Sequence, residues 1–502
     1  MSTGRRSKAL SAVLADAPLA RVREQINAYA STGSSPLFDD PTVFDPTVFD
    51  PNVIDPTVID ITFDSRQVER GTLFCCIRGD HFDGHAFAES AIASGAVAVV
   101  VERPIALTNG IQIVVDDARV AMAYLAASLF DRPSDHLDIV GITGTNGKTT
   151  TAHIVQGALE ALGSPTGVIG TLSGTHTTPE APDLQRRLAG FVDDGKRSVA
   201  MEVSSHALAL DRVLGTHFRV GVFTNLGHDH LDLHVTQERY FAAKARLFES
   251  DLTDHGVVNV DDVHGRLLAD AGTIPITTFS LADVHDVRID AFEHEYVWRG
   301  ERIRVGLGGR FNVMNSLAAA TSLAVLGHAP SAIRAALATT TSVPGRFERV
   351  DAGQSFAVIV DYAHTPDALV QVLAAGRGVA GSNRLAVVFG CGGDRDHDKR
   401  PQMGLAAAHG ADSVVVTSDN PRSEDPAAII NDVIEGVPEN YRGRIAVEPD
   451  RFQAIALALR TAGPGDVVII AGKGHETTQT FHGKVAPFDD RAVARALLEN
   501  LS

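Results

Sequence analysis

The chain has 502 residues, of which 44% are apolar and 21% are charged, and its formal net charge is -18. At roughly 100–200 residues per domain, this length predicts about three domains. The acidic balance argues against nucleic acid as the main partner, because phosphate backbones need a basic surface. Three cysteines without metal-type spacing, and no long apolar run, predict a reduced, cytoplasmic protein without a membrane span.

The N-terminal region ends in a short repeat. Residues 41–60 read PTVFDPTVFDPNVIDPTVID, with Pro in every fifth position. Such spacing excludes a regular helix and disfavours a central strand. We interpret residues 1–60 as an N-terminal extension that ends in an extended linker, since short low-complexity repeats seldom carry chemistry. A partner bound by the repeat is the alternative.

From residue 61 onward, β-branched runs alternate with alanine-rich helical patterns, which is typical of α/β units with parallel sheets. The pattern predicts units at residues 61–136, 137–343 and 344–502. The strand candidates include AVAVV, LDIVGI, SVAMEVSS, FRVGVFTNL, GVVNVDD, FAVIVDYAH, RLAVVFGCGG, DSVVVTSDN and DVVIIAGKG. Most of them end in polar or Gly-rich residues, and parallel sheets bind ligands at that edge.

A glycine-rich segment follows the apolar run LDIVGI and precedes the helical pattern TAHIVQGALEAL. It consists of Gly144, Thr145, Asn146, Gly147, Lys148, Thr149 and Thr150. Glycines let backbone N–H groups approach phosphate oxygens, and the helix N-terminus favours an anion. Lys148 would neutralise phosphate charge and a threonine hydroxyl would ligate Mg²⁺. Ile142 stands where a standard P-loop has its first Gly, and a glycine-rich turn that binds nothing is the alternative.

Acidic and imidazole groups follow two later strand candidates. Glu202 lies in MEVSSH, and the stretch NLGHDHLDLH contains Asn225, His228, Asp229, His230, Asp232 and His234. Taken alone, a His-rich loop is more often polar surface than a ligand site. Beside a phosphate loop, however, such groups at strand ends predict metal binding.

From about residue 61 to the end, the chain resembles the Mur ligase family. The matching motifs, in family order, are GTNGKTT, MEVSSHAL, NLGHDHLDLH, YFAAKARLF, GRFNVMNSLAA, VPGRFERV, VDYAHTPDAL, FGCGGDRD, SDNPR and GKGHE. The resemblance implies an α/β fold of three domains: a UDP-binding N-terminal domain, a central P-loop-like ATPase domain and a C-terminal Rossmann-like domain. It also implies ATP and Mg²⁺, and an acyl-phosphate route to an amide bond.

The resemblance implies roles for individual residues. Those implied for ATP are Gly144, Thr145, Asn146, Gly147, Lys148, Thr149, Thr150, Asn312, Asn315, Arg346 and Asp361. Those implied for catalysis are Lys148, Glu202, His230 and Lys244, and those for the metal are Thr149, Glu202, His230 and Lys244. Lys244 matches a lysine that the family carries as a carbamate, an anion that suits Mg²⁺. Without the resemblance it would be an ordinary lysine on a helix surface.

The expected acceptor substrate is a UDP-linked muramoyl dipeptide. The residues implied for it are Ser65, Arg66, Thr177, Thr178, Ser204 and Arg212. Asp80, His81 and Phe82 match the family less well. The chain also departs from the family at His176, where Asn is usual, at Leu210, where Gln is common, and at Val235, where Gly is favoured.

The expected second substrate is an amino acid held at the third unit. The residues implied for it are Arg395, Asp419, Asn420, Pro421, Arg422, Gly472 and Glu476. Arg422 can grip a carboxylate with two parallel hydrogen bonds. Meso-diaminopimelate has one carboxylate more than lysine, so an arginine here favours diaminopimelate. The resemblance points the same way, since diaminopimelate-adding members carry DNPR.

Other functions stay open at this point. Addition of L-lysine is the first alternative. A folylpolyglutamate synthase or a cyanophycin-type ligase would share the ATP loop but would not be expected to carry Asp64-Ser65-Arg66, DNPR and GKGHE. A catalytically weak paralogue that binds UDP-sugars is the remaining alternative, supported by His176 and Leu210. We expect small-molecule substrates, no nucleic acid or membrane partner, and a monomer.

Overall fold

A computed structural model describes residues 6–17, 27–30, 55–79, 82–108, 110–174, 176–227, 234 and 236–500, with backbone alone for residues 27–30. Most of the 41–60 repeat and His230 therefore lie outside the described residues. Three sheets of five or six strands dominate this part of the chain. No helix within it combines the length and the apolar character that a bilayer span requires.

The first sheet contains β2 (Asn27–Ala30), β4 (Asp60–Thr62), β5 (Thr72–Cys75), β6 (Ala98–Val101) and β7 (Ile111–Val114). The strand order is β2–β7–β6–β5–β4, and β2 alone is antiparallel to its neighbour. Beside it, β1 (Lys8–Ala9) pairs with β3 (Thr57–Val58). Its helices are α1 (Leu10–Ala15), α2 (Ala88–Ala93) and α3 (Ala118–Leu129), with 3₁₀ turns at Ser65–Gln67, Gly84–Phe87 and Pro133–His136.

The first sheet reaches into the region that the sequence assigns to an extension. The predicted boundary at residue 60 falls inside β4, and β2 pairs with β7 well upstream of it. An edge strand offers unpaired N–H and C=O groups, and upstream chain can satisfy them. Residues 27–30, which the sequence analysis assigns to the N-terminal extension, therefore belong to the first sheet.

The second sheet contains β8 (Asp138–Thr143), β9 (Thr166–Ile169), β10 (Ser198–Glu202), β11 (Val220–Phe223), β12 (Gly256–Asn259) and β13 (Ile276–Phe279). All are parallel, in the order β13–β12–β11–β8–β10–β9. The helices are α4 (Lys148–Ala161), α5 (Ala181–Asp193), α6 (Ser205–Ala209), α7 (Gln237–Ala245), α8 (Val263–Ala271), α9 (Arg310–Val325) and α10 (Pro330–Leu337). An antiparallel sheet follows β13: β14 (Val284–Ile289), β15 (His294–Trp298) and β16 (Glu301–Val305).

Alternation along β8 shows how this sheet is buried. Ile139 lies in the core cluster that also contains residues of the first sheet, whereas Val140 and Ile142 lie in the cluster with α4 and α9. Successive side chains of a strand point to opposite faces, so helices on both faces require a continuous apolar run. The run LDIVGI meets this requirement.

The third sheet contains β17 (Glu348–Val350), β18 (Ala357–Asp361), β19 (Leu385–Phe389), β20 (Ser413–Val416), β21 (Ile445–Val447) and β22 (Val467–Ala471). The order is β17–β18–β22–β19–β20–β21, with β17 antiparallel to β18. The helices are α11 (Pro366–Ala380), α12 (Lys399–Gly410), α13 (Pro426–Glu435), α14 (Arg451–Arg460) and α15 (Asp490–Glu499). A hairpin joins β23 (Thr478–Phe481) to β24 (Lys484–Pro487).

Short 3₁₀ turns at Arg246–Phe248, Leu281–Asp283 and Glu439–Arg444 complete the described elements. Each strand candidate named from the sequence lies on a strand of one of the three large sheets. The predicted α/β class with mainly parallel sheets is therefore confirmed. It also means that polar residues after β8, β10, β11, β20 and β22 lie at carboxyl edges, where ligands bind.

Candidate active site

A cavity of about 800 Å³ lies between the carboxyl edge of the second sheet and the start of the third unit. Lys148, Thr149, Glu202, Lys244, Asn315 and Arg346 are among the residues that line it. Five of these six belong to the second unit, whereas Arg346 comes from the segment before β17. The chemistry available here therefore draws on two units of the chain.

The loop between β8 and α4 is shaped for close backbone approach. Gly144 has φ +147° and Gly147 has φ +88°, conformations that favour glycine. A Cβ on Gly144 would lie 1.9 Å from the Thr224 hydroxyl oxygen. The Lys148 ammonium folds over the loop and donates to the carbonyls of Gly144 and Thr145 at 2.8 and 2.9 Å. The loop thus presents a cation and a helix N-terminus at one point, the combination that binds phosphate.

Asn225, two residues after β11, braces this loop from the end of the neighbouring strand. Its side-chain oxygen accepts from the Asn146 N–H at 3.0 Å, and its side-chain amide donates to the Asn146 carbonyl at 3.2 Å. The backbone carbonyl of Asn225 accepts from the Thr145 N–H at 2.9 Å. Asn225, which in the sequence is only part of a His-rich stretch, therefore holds the shape of the phosphate loop.

Glu202 ends β10 and is 1% exposed, with its carboxylate at the cavity wall. One carboxylate oxygen accepts from the Thr149 hydroxyl at 2.9 Å. The same hydroxyl oxygen accepts from the Arg346 guanidinium at 3.0 Å. Arg346 also lies 4.3 Å from the centre of the Tyr362 ring. A carboxylate, a loop hydroxyl and a cation from the next unit thus meet within hydrogen-bond distance.

The oxygen atoms of Glu202 and Thr149 suit Mg²⁺, which prefers carboxylate and hydroxyl oxygen ligands and keeps several waters. Both side chains line the cavity beside the phosphate loop, so the donor chemistry fits a nucleotide-bound magnesium ion. His230, the predicted imidazole ligand, lies outside the described residues. Among the described residues, no group of three His, Cys, Asp or Glu side chains has the spacing of a metal cluster.

Lys244 is buried, although the sequence alone suggests a surface lysine. It is 1% exposed at the end of α7, and its ammonium donates to the Gly144 carbonyl at 2.9 Å. The ammonium also lies 4.4 Å from the centre of the Tyr240 ring. The structure therefore places Lys244 beneath the phosphate loop and at the cavity wall. Its carbamylation stays a prediction.

Asn312 and Asn315, on the first turns of α9, support the phosphate loop from the other side. Asn312 donates to the Gly308 carbonyl at 2.7 Å, and Asn315 donates to the Asn312 side-chain oxygen at 2.9 Å. A Cβ on Gly147 would lie 2.4 Å from the Asn315 side-chain oxygen. Asn315 lines the cavity and Asn312 orients it.

Asp361 ends β18 and fixes the segment that carries Arg346. Its two oxygens accept from the N–H groups of Phe347 and Ala363, each at 2.7 Å. Burial raises the pKa of this carboxyl, while Arg346 and the two N–H donors oppose that shift. Asp361 lines the cavity, and its two backbone donors both belong to the third unit.

The residues predicted for the muramoyl dipeptide divide into two groups. Thr178 donates to the Glu202 backbone carbonyl at 2.9 Å, and the Arg212 guanidinium donates to the Thr178 carbonyl at 3.2 Å. Ser204 caps α6, and its hydroxyl oxygen lies 3.3 Å from that of Thr178. These residues therefore form one cluster beside Glu202, whose carboxylate is the candidate Mg²⁺ ligand. Thr177 lines the cavity next to them.

Ser65 and Arg66 lie apart from that cluster, in a 3₁₀ turn of the first unit, and do not line the cavity. Arg66 is an exposed side chain whose guanidinium pairs with Asp64 at 2.7 Å. Asp80 and His81 lie outside the described residues, whereas Phe82 is 73% exposed. Of the three departures from the family, His176 is exposed, Leu210 is partly buried and Val235 is not described.

The loop after β20 carries four of the seven residues predicted for the amino acid, whereas Arg395 follows β19, and Gly472 and Glu476 follow β22. Arg422 has φ +54°, and its backbone is held by the hairpin: its N–H donates to Thr480 and its carbonyl accepts from His482, at 3.0 and 2.6 Å. Its guanidinium donates to the Gly393 carbonyl at 2.6 Å. Arg395 is exposed. The structure thus fixes the backbone of Arg422 and leaves further guanidinium N–H groups for a ligand.

Lys473 is a residue of this region that the sequence reasoning missed. It follows Gly472 directly after β22 and is fully buried. Its ammonium donates to a Glu476 carboxylate oxygen at 3.0 Å and to the Thr478 carbonyl at 2.7 Å. Asn420 donates to the same Glu476 oxygen at 2.8 Å. One oxygen of Glu476 is therefore occupied by two donors.

Asp419 adds a buried acid to this cluster beside the partly exposed Glu476. Its carboxylate lies 3.6 Å from the Lys473 ammonium. Burial raises the pKa of Asp419, and the nearby cations Arg451 and Lys473 oppose that shift. In the sequence, Lys473 stands between two glycines, just after a fully apolar strand. This position indicates a buried lysine rather than a solvated one.

The three sheets, with a glycine-rich loop at a cavity between the second and third units, define a multidomain α/β enzyme that binds a nucleotide. Sequence models of three family domains match the chain in order. They are the Mur ligase family catalytic domain at residues 58–128, the Mur ligase middle domain at 142–323 and the Mur ligase glutamate ligase domain at 345–474. The chain belongs to the Mur ligase family.

Curated relatives match along most of the chain. It is 45% identical over 461 residues to the UDP-N-acetylmuramoyl-L-alanyl-D-glutamate--2,6-diaminopimelate ligase of Syntrophomonas wolfei, covering 87% of this chain and 94% of that one. A relative of the same name from Streptomyces coelicolor is 45% identical over 468 residues, covering 88% and 92%. Similarity of this extent confirms the predicted family and the predicted ligase class.

Solved structures agree on the fold. A structure of a protein with the same ligase name has 34% identity and a TM-score of 0.64, and covers 90% of this chain and 97% of its own. MurF of Thermotoga maritima, solved in complex with ADP, has 20% identity and a TM-score of 0.62, covering 88% and 97%. The predicted three-domain Mur ligase architecture is confirmed, whereas the individual site residues, the domain boundaries and the cytoplasmic location stay predictions.

Proposed function

We propose that this chain is an ATP-dependent ligase that adds meso-diaminopimelate to UDP-N-acetylmuramoyl-L-alanyl-D-glutamate in peptidoglycan synthesis. The names of the relatives that match most of the chain support this substrate pair. The observation that carries the proposal is Arg422, whose backbone is fixed beside the cluster of Asp419, Lys473 and Glu476. The proposal also includes a monomeric state and a cytoplasmic location, as expected from the sequence.

At the nucleotide end, the loop N–H groups and Lys148 bind the ATP phosphates. Glu202 and Thr149 would hold Mg²⁺, which supplies positive charge that polarises the phosphoryl group when it is bound. Arg346 reaches the same hydroxyl from the third unit, so its guanidinium lies where negative charge builds up during transfer. Closure of the third unit onto the loop is therefore needed for full activity.

The amide bond then forms in two steps. The terminal carboxylate of the dipeptide attacks the γ-phosphorus, a new P–O bond forms, and the bond to the β-phosphate oxygen breaks to release ADP. The amine of the amino acid next attacks the acyl carbon, the C–O bond to phosphate breaks, and the nitrogen loses a proton. Phosphorylation is required because a carboxylate alone has no leaving group. Lys148 and Arg346 stabilise the anions in both steps.

At the amino-acid end, opposite charges select the substrate. Arg422 can take the far carboxylate of meso-diaminopimelate with two parallel hydrogen bonds. Lys473 and Asn420 donate to one oxygen of Glu476, and the other oxygen can accept a hydrogen bond from the ammonium group of the amino-acid substrate. Lysine lacks the second carboxylate and would leave the Arg422 guanidinium without a carboxylate partner.

The test measures phosphate release and tripeptide formation with ATP, Mg²⁺ and the UDP-linked dipeptide, comparing meso-diaminopimelate with L-lysine. We expect turnover with diaminopimelate only. Arg422→Ala should lower kcat/KM for diaminopimelate roughly 10- to 150-fold, because it removes charge-assisted hydrogen bonds. Arg442→Ala is the matched control, since Arg442 is exposed and pairs with Glu439 across a surface turn.

Two results would contradict the proposal. Equal turnover with lysine would show that Arg422 does not select the amino acid, and addition of L-lysine would then be favoured. No phosphate release with either amino acid, from folded protein that binds ATP, would favour a catalytically weak paralogue. His176 and Leu210 would then be the first positions to restore to the residues usual in the family.

A further inference from the structure

The carboxylate of Glu202 is held by a tight turn for which the sequence analysis predicts no role. The turn follows β9. In this turn, the backbone N–H of Thr171 donates to one Glu202 oxygen at 2.8 Å. The Thr171 hydroxyl lies 3.2 Å from the other Glu202 oxygen. This second oxygen is the one that also accepts from Thr149. Thr171 therefore contacts both oxygens of the carboxylate.

The turn is built to approach Glu202 closely. A Cβ on Gly170 would lie 2.2 Å from the Glu202 oxygen, so a side chain at this position would displace the carboxylate. Ser173 closes the turn: its N–H donates to the Gly170 carbonyl at 2.9 Å, and its hydroxyl oxygen accepts from the Gly170 N–H at 2.9 Å. The position of Thr171 is thus set by a rigid local structure.

The direction of the hydrogen bonds follows from the carboxylate. An ionised carboxylate only accepts, so the Thr171 hydroxyl must donate its single proton to Glu202. The Thr177 hydroxyl lies 3.1 Å from that of Thr171 and must then donate to it. A continuous chain of donors therefore leads from Thr177, in the segment assigned to the muramoyl dipeptide, to the carboxylate assigned to Mg²⁺.

We propose that Thr171 is a positioning residue: it orients the Glu202 carboxylate for Mg²⁺ and connects it to the loop that carries Thr177. This inference rests on the proposed function, because it takes Glu202 as a magnesium ligand. Groups that donate to a ligating carboxylate fix its orientation, and their loss typically lowers metal affinity by roughly 10- to 100-fold. Thr149 remains on the same oxygen when Thr171 is changed, so the lower end of that range applies.

The experiment measures the dissociation constant of N-methylanthraniloyl-ADP with and without Mg²⁺, by fluorescence, on full-length protein. Thr171→Val removes the hydroxyl but keeps the shape and the backbone N–H. We expect it to reduce the Mg²⁺-dependent gain in affinity by about tenfold and to leave the affinity without Mg²⁺ unchanged. Thr171→Ser should restore the gain.

Thr166→Val is the matched control, at the start of the strand that precedes the turn. Thr166 is buried, and its hydroxyl donates to the Ser164 carbonyl at 2.8 Å, so the variant loses one hydrogen bond away from the cavity. It should keep the full Mg²⁺-dependent gain. Thermal melting of all variants separates a local effect from unfolding, since a purely structural role of Thr171 would lower the melting temperature without a selective loss of the Mg²⁺ effect.

Glu202→Gln distinguishes failure of this inference from failure of its premise. If wild type shows the gain, Glu202→Gln loses it and Thr171→Val keeps it, the role of Thr171 is overturned while the magnesium site stands. If wild type itself shows no gain, the role of Glu202 fails and the role of Thr171 fails with it. Loss of the gain in Thr171→Val, with rescue by Thr171→Ser, supports the proposal.

Discussion

Replacement of Lys473 by methionine tests whether the buried ammonium is required to hold the amino-acid cluster. Lys473→Met keeps most of the side-chain length but removes the charge. Glu476 then loses one of its two donors, at 3.0 Å, and Asp419 loses a cation at 3.6 Å. Removing one partner of a buried ion pair typically destabilises a protein by about 3–5 kcal/mol, because the other charge stays buried.

The size of this loss should depend on pH. Burial already raises the pKa of Asp419, and Lys473 is one of the cations that oppose that shift. In Lys473→Met the folded-state pKa of Asp419 rises further above its unfolded value. The carboxyl can then take up a proton at low pH, so the destabilisation should grow as pH rises through that higher pKa. We therefore expect a smaller loss at pH 5 than at pH 8.

Urea unfolding of wild type and Lys473→Met at both pH values measures the free energy of unfolding. Lys484→Met is the matched control, because Lys484 is exposed on β24 of the adjacent hairpin, and its effect should stay within about 0.5 kcal/mol. The variant should also raise KM for diaminopimelate more than KM for ATP, since Glu476 loses a fixed orientation. A loss under about 1 kcal/mol that is the same at both pH values would refute the reasoning.

Two further changes test other parts of the structure. Arg346→Lys keeps the charge but loses the planar group that stacks on Tyr362 and reaches Thr149. The affinity for ADP, measured by calorimetry, should therefore fall about tenfold. Unchanged affinity would contradict this role of Arg346. His294, whose pKa burial lowers to about 4 from 6.5, stabilises the fold while neutral. That stabilisation is complete above pH 6.5 and is lost as pH falls towards 4, by about 2 kcal/mol between pH 7 and pH 5. His294→Gln should remove this part of the pH dependence in denaturant titrations, and an equal slope in both proteins would argue against it.

Local patterns were enough to predict nine strands of the three large sheets and the phosphate loop. The apolar run before Gly144 is a strand and the segment from Lys148 is a helix, because strand, turn and helix signals are adjacent in the chain. Parallel topology then places residues such as Glu202 at one edge of the sheet. The family resemblance supplied roles for them that spacing alone could not.

Contacts between distant segments were not predictable in this way. Thr171 lies 31 positions before Glu202, and only the pairing of β9 with β10 brings them together. A threonine after a strand is too common to signal a contact with a carboxylate. Lys473 was overlooked for a related reason: lysines are almost always solvated, and burial of this one depends on acids supplied by other loops. The β14–β16 sheet and the β23–β24 hairpin were likewise not predicted.

The backbone of Arg422 limits which side chains evolution or protein engineering can place at this position. A φ of +54° is readily adopted by glycine and tolerated by asparagine and aspartate, but it strains β-branched residues. Two hydrogen bonds to the hairpin maintain this conformation whatever the side chain is. Only a few residue types can therefore replace Arg422 without strain, which limits changes of amino-acid substrate by a single substitution. Substitution of Arg422 by valine, isoleucine or threonine requires remodelling of the hairpin as well.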